Sequence, residues 1–332
     1  MKHAEVYLRE EDREKRVKIT DSKKPEISSD VMEKWQRIIN LMAKIANVPS
    51  GLLMNITEES MVVFVKSQNS ENPYPNNGSD LLGHGLYCET VIGTDKELLV
   101  PNALEEERWK DNPDVKLNMI SYYGLPLKWP DDEFFGTICV LDSKTNQYTD
   151  DYKELLKEFK EAIEADLKVL TYQKELSYIA DMDLPTGILN RGKTEKIIID
   201  EFERSKRTGE IFSVALIDIN KLKEINDNNG HVKGDEFIKG LAQGINSRIR
   251  NTDRFGRWGG DEFLLICPDT DEDGMKKLTR DIKEEVSLEL NEIVENHGFC
   301  IGASEYYDGD EKYSDALLRA DNNLYVCKQG RR

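Results

Sequence analysis

Arg257-Trp258-Gly259-Gly260-Asp261-Glu262-Phe263 lies between two runs that read as strands, 253–258 before it and 263–267 after it. The paired glycines predict a tight two-residue β-hairpin turn. Such turns need positive φ angles, which glycine adopts without steric cost, and glycine also lets a backbone come close to a ligand. Two carboxylates follow at once, beside the apolar run Phe263-Leu264-Leu265-Ile266-Cys267. Ionised carboxylates there are costly unless solvated, paired or bound to a cation, so the turn is a candidate site.

Upstream, Phe212-Ser213-Val214-Ala215-Leu216-Ile217 reads as a buried strand ending on Asp218, followed by Ile219-Asn220-Lys221-Leu222-Lys223. If this strand neighbours the hairpin, Asp218 and Asp261 converge. Hard oxygen ligands with open positions suit Mg²⁺ carrying phosphates. Asn226 and Asp235 flank Gly230-His231-Val232-Lys233-Gly234 and could together pair with a guanine edge; the plainer alternative is a turn residue and a helix N-cap. Arg250-Asn251-Thr252-Asp253 is an Arg-x-x-Asp string, which by itself is ordinarily an exposed ion pair.

From 149 to 182 the apolar residues Tyr152, Leu156, Phe159, Ile163, Leu167, Leu170, Leu176 and Ile179 recur by threes and fours, predicting one long helix. Packing on its own domain is one use for this stripe. Because the helix joins two domains, a parallel dimeric coiled coil is the expected one. Before it, residues 31–45 have helical apolar spacing, and 52–56, 61–65, 122–127 and 134–142 read as strands, an α+β sandwich. Residues 1–28 have few large apolar side chains, so they are expected to be a mobile arm or a helix supported by a partner chain.

The chain has 332 residues, enough for two domains. Its net charge of -18 at pH 7 argues against a nucleic-acid or anionic-membrane partner, both of which demand a positive surface. No run approaches the about eighteen apolar residues of a membrane span, and the first residues form no apolar signal segment, so a cytoplasmic location is expected. The five cysteines, Cys88, Cys139, Cys267, Cys300 and Cys327, have no metal or redox spacing and read as reduced thiols.

Tyr87-Cys88-Glu89, Val100-Pro101-Asn102-Ala103, Asn112-Pro113, Tyr123-Gly124-Leu125-Pro126-Leu127 and Gly136-Thr137-Ile138-Cys139-Val140-Leu141-Asp142 resemble a GAF domain over about residues 30 to 168. GAF domains are sensory modules that bind small ligands or mediate dimerisation; the resemblance leaves the ligand unnamed. A second resemblance, to the GGDEF domain of diguanylate cyclases, covers about residues 176 to 332. It rests on four ordered motifs: 183–191, 218–235, Gly259-Gly260-Asp261-Glu262-Phe263 and Asp321-Asn322-Asn323-Leu324-Tyr325-Val326-Cys327-Lys328. Asn220, Leu222 and Pro185 depart from the family pattern without touching a metal or guanine position.

This second resemblance implies an antiparallel sheet flanked by helices, and a homodimer that condenses two GTP to cyclic di-GMP and two pyrophosphates. By position, Asp218, Asp261 and the Ile219 carbonyl would hold Mg²⁺ or Mn²⁺, and Glu262 would be a second metal ligand or help deprotonate the 3'-hydroxyl. Gly259 and Gly260 would pass close to the α-phosphate. Asn226 and Asp235 would read guanine; Lys223, Lys328 and Arg332 would neutralise phosphates. Arg250 and Asp253, with Arg257, would form an inhibitory product site. The expected organisation is an arm (1–28), a GAF-like α/β sandwich (29–148), a signalling helix (149–182) and the cyclase domain (183–332). The alternative function is a catalytically inactive module that binds GTP or cyclic di-GMP.

Overall fold

Lys2–Leu8 and Arg13–Ile19 alternate exposed and buried side chains and form an antiparallel pair of strands, β1 and β2. The computed structural model describes residues 2–9, 13–21 and 23–330, and the chain divides into two units, Met1–Glu175 and Leu176–Arg332. The expected arm is therefore corrected: Ala4, Val6, Leu8, Val17 and Ile19 are buried in the first unit. A strand needs an apolar residue only at every second position to cover one face, so a charge-rich segment can still join a core.

The first unit continues with α1 (Ser29–Ala46), β3 (Ser50–Ile56), β4 (Ser60–Lys66), β5 (Ser79–Leu81), α2 (Tyr87–Thr94), β6 (Leu98–Val100), β7 (Ser121–Lys128) and β8 (Phe134–Asp142). β8 lies between β3 and β7, with β4 and β5 beyond β3 and β6 beyond β7; β2 joins through the parallel bridge Ile19–Phe134. Every residue of β8 is buried because both faces of the sheet are covered. One apolar cluster holds Met54, Tyr87, Trp109 and Cys139; the other holds Trp35, Ile39, Phe135 and Ile138.

α3 (Asp150–Asp181) is a single helix, and its apolar stripe is divided between two environments. Tyr152, Leu156, Ile163 and Leu167 are buried in the first unit, where Trp35 Nε1 donates to Asp166 Oδ2 at 2.9 Å and Tyr152 Oη to Met42 O at 3.2 Å. Over this half the coiled-coil expectation is corrected, since the stripe shares an apolar cluster with Trp35, Ile39 and Met42 of α1. Val169, Tyr172, Leu176 and Ile179 are each more than half exposed.

The second unit comprises β9 (Met182–Asp183), β10 (Ile188–Leu189), α4 (Arg191–Thr208), β11 (Phe212–Ile219), α5 (Leu222–Asn229), α6 (His231–Asn246), β12 (Arg254–Arg257), β13 (Glu262–Pro268), α7 (Glu272–Ile293), β14 (Phe299–Glu305) and α8 (Tyr313–Gln329). The sheet order is β14-β11-β13-β12-β10-β9, antiparallel except where β10 meets β12. Phe237, Leu241 and Ile245 of α6 with Ile282, Val286 and Leu290 of α7 share one core, and Ile198, Phe202, Ala316 and Ala320 of α4 and α8 share the other. Helices on both faces of an antiparallel sheet are the α+β architecture expected for this half.

Candidate active site

β11 and β13 pair in a register that sets Asp218 opposite Glu262, and the Ile219 N–H donates to the Asp261 carbonyl at 3.1 Å. Asp218 and Asp261 thus meet at the ends of neighbouring strands, as the sequence predicts. The connection between β12 and β13 is not the predicted two-residue turn. β12 ends at Arg257 and β13 begins at Glu262, so four residues intervene, closed by Trp258 N–H and Gly259 N–H donating to Glu262 O at 2.8 and 3.0 Å. Neither Gly259 nor Gly260 has positive φ, because the longer loop closes with ordinary angles. What glycine supplies is space. A Cβ on Gly260 would meet nothing within 4 Å, which leaves the backbone open to an approaching ligand, whereas one on Gly259 would stand 2.9 Å from Glu262 Oε2.

The Asp218 side chain is only 9% exposed and pairs with Lys328 Nζ at 2.8 Å. Burial raises its carboxyl above the ordinary range, the Lys328 ammonium pulls it back down, and the neighbouring Asp261 charge raises it further. A buried acid held beside another acid has a standing demand for positive charge. Asp218, Ile219, Lys221, Lys223, Asp261, His297 and Lys328 are among the residues lining one cavity of about 890 Å³. Among the described residues no group of three or more His, Cys, Asp or Glu side chains could hold a metal alone. Two carboxylates and a backbone carbonyl nevertheless fit a hard divalent cation, whose remaining positions a phosphate and water would fill. Glu262 is exposed and lines a neighbouring pocket of about 290 Å³ with Trp258, Leu317 and Asp321.

Asn226 lies within α5, and Asp235 is exposed one turn inside α6, which begins at His231; neither is the turn residue or N-cap of the plainer alternative. A Cβ on Gly234 would stand 1.9 Å from Asn226 Oδ1, so the glycine is what admits the Asn226 amide against α6.

Arg250 is exposed, but Asp253 is 6% exposed, and its Oδ2 accepts from the Arg250 backbone N–H at 2.8 Å. The Asp253 carboxylate therefore braces its own turn. Arg257 donates to Gly260 O at 2.7 Å and pairs with Asp183 at 3.3 Å, tying the loop to β9. Arg332 lies outside the described residues. Sequence reasoning missed Ser287, Asn296 and His297, which enter the cavity from α7 and the segment after it. The link that brings them there is a backbone bond, Asn220 N–H to Gly298 O at 2.9 Å, which no side-chain pattern reveals.

Residues 180–332 match the family model described as diguanylate cyclase, GGDEF domain. Diguanylate cyclase DosC of Escherichia coli is 30% identical over 151 residues, 45% of this chain and 33% of that protein. Diguanylate cyclase DgcP of Escherichia coli is 24% identical over 311 residues, 89% of each. The crystallised GGDEF domain of DgcB from Caulobacter crescentus, in complex with c-di-GMP, is 27% identical, covers 46% of this chain and 92% of that one, and has a TM-score of 0.44. The chain thus spans a third of the length of DosC and most of DgcP. Over residues 180–332, a little under half of its length, the chain is similar to the GGDEF domain of diguanylate cyclases.

Proposed function

We propose that the chain is a diguanylate cyclase, condensing two GTP, one on each of two facing protomers, to cyclic di-GMP and two pyrophosphates. The observation that carries this reading is the convergence of Asp218 and Asp261 at a lysine-lined cavity of about 890 Å³, within the segment that matches the GGDEF family. Mg²⁺ or Mn²⁺, held by Asp218, Asp261 and the Ile219 carbonyl with Glu262 beside them, would neutralise charge on the phosphates when bound. Lys223 and Lys328 add positive charge around the polyphosphate. Lys328 exchanges its Asp218 partner for a phosphate oxygen as the substrate enters.

The open face of Gly260 lets the α-phosphate lie against the backbone, where the 3'-hydroxyl of the facing GTP attacks in line. Asn226 and Asp235 hold guanine, and Asp235 accepts from N1–H and the exocyclic amine, a pair adenine lacks. The first unit is read as a GAF-like sensor of an unnamed small molecule, and Arg250 as the exposed residue of a product-inhibition site.

Full-length protein incubated with GTP and Mg²⁺, followed by product analysis over a range of protein concentrations, tests the reading. Cyclic di-GMP that disappears in Asp261→Ala supports it; no cyclic di-GMP at any concentration refutes it.

A further inference from the structure

We propose that His297 is a phosphate-binding residue of this cavity, gripping the end of the triphosphate that departs as pyrophosphate; the inference rests on the diguanylate cyclase reading. β14 pairs with β11 so that Cys300 stands opposite Asp218 and Phe299 opposite Ile219. The segment entering β14 therefore leaves the sheet at the level of the candidate metal ligands. The Asn220–Gly298 backbone bond holds it there, one residue from His297. His297 lines the cavity with Lys221, Lys223 and Lys328, whereas the guanine-reading Asn226 and Asp235 do not, so this is its phosphate side.

The hydrogen bonding of the ring is specific. Nδ1 lies 2.9 Å from the Glu295 carbonyl, an acceptor, so Nδ1 carries the proton and Nε2 has no protein partner among the described residues. Two of the lysines on the same wall already have acidic partners: Lys328 pairs with Asp218 and Lys221 with Glu224. His297 has none among the described residues, and a triphosphate brings several negative charges to a space where Asp218, Asp261 and Glu224 already repel it. As an imidazolium the ring would donate from Nε2 to a non-bridging oxygen while Nδ1 keeps it oriented. A purely structural role would be satisfied by the Glu295 bond alone, and loss of the ring would then leave pyrophosphate binding unchanged.

The test uses the full chain with Mg²⁺, comparing wild type, His297→Ala and His297→Arg, with inorganic pyrophosphate as the probe. His297→Ala is expected to raise KM for GTP and to weaken pyrophosphate inhibition by about three- to tenfold, the range of one partly exposed charge-assisted hydrogen bond. The kcat should change less, and the thermal midpoint should hold. His297→Arg should restore both constants. Unchanged pyrophosphate inhibition in His297→Ala, or an equal loss in His297→Arg, overturns the inference. Should wild type make no cyclic di-GMP, the parent reading fails, and calorimetric binding of pyrophosphate to wild type and His297→Ala still decides this one.

Discussion

Arg257 pairs with Asp183 at 3.3 Å while the same guanidinium donates to the Gly260 carbonyl at 2.7 Å. The loop bearing Asp261 is thereby fastened to the start of the second unit by a planar, multi-donor group, which a lysine could not replace. Arg257→Ala should lower turnover by about ten- to a hundredfold, the cost of a small misplacement of reacting groups. GTP affinity should change little, and Asp183→Asn should fall between. Measured kcat and KM for the three proteins check this. A normal kcat in Arg257→Ala would leave the anchor without a catalytic role.

Gly234 presents a conflict of two effects of known size. Glycine inside a helix is less stable than alanine by about 1 kcal/mol, so Gly234→Ala in α6 should stabilise the helix. The added Cβ, however, would stand 1.9 Å from Asn226 Oδ1, and the side chain that must move is one that holds guanine in the proposed reading. The expected result is an unchanged or higher thermal midpoint with KM for GTP raised about tenfold and weaker discrimination against ATP. Steady-state kinetics with both nucleotides, beside thermal scans, would expose the error if GTP kinetics stayed normal.

What could be read from the sequence follows from how local each feature is. Asp218, Asp261 and the apolar strands carrying them are legible because a strand ending in a carboxylate is a local pattern. Their register then follows from pairing β11 with β13. The four-residue closure after Arg257 was not legible, because glycine permits positive φ without requiring it. The β1–β2 pair was hidden by charge, and the segment containing His297 reaches the cavity through a backbone bond between residues far apart in the chain. Asp253 looked like a ligand because spacing gives no sign of which way a carboxylate turns; here it turns inward.

Asp114 makes stability of the first unit depend on pH. Burial raises its carboxyl from the ordinary 3.8 to about 6, against the lowering effect of the Tyr74 hydroxyl, which donates to it at 2.6 Å; Asp80 adds to the rise. The native state therefore holds a proton that the unfolded chain has released. Its contribution is fully present below the ordinary value and is lost as pH rises through about 6. The ceiling on the effect is about 3 kcal/mol. Asp114→Asn keeps an acceptor for Tyr74 and should melt higher than wild type at pH 7.5, with the difference closing towards pH 4.5. Thermal scans of the full chain at both pH values decide; a variant that melts lower at pH 7.5 contradicts the argument.

The divided stripe of α3 yields opposite expectations for two similar residues. Leu156 is fully buried among side chains of the first unit, so Leu156→Ala should cost about 2–5 kcal/mol through lost burial and the cavity left behind. Leu176 is 68% exposed, and Leu176→Glu should change monomer stability by no more than about 0.5 kcal/mol. If the exposed half of the stripe pairs with a second copy, as the proposed two-GTP reaction requires of some surface, that same change places a charge in the seam. Leu176→Glu should then shift the dimer to monomer by light scattering and make specific activity rise more steeply with protein concentration. Leu156→Ala should instead lower the thermal midpoint and leave the concentration dependence of its folded fraction alone. A Leu176→Glu protein that remains dimeric and fully active would move the dimer contact elsewhere on the chain.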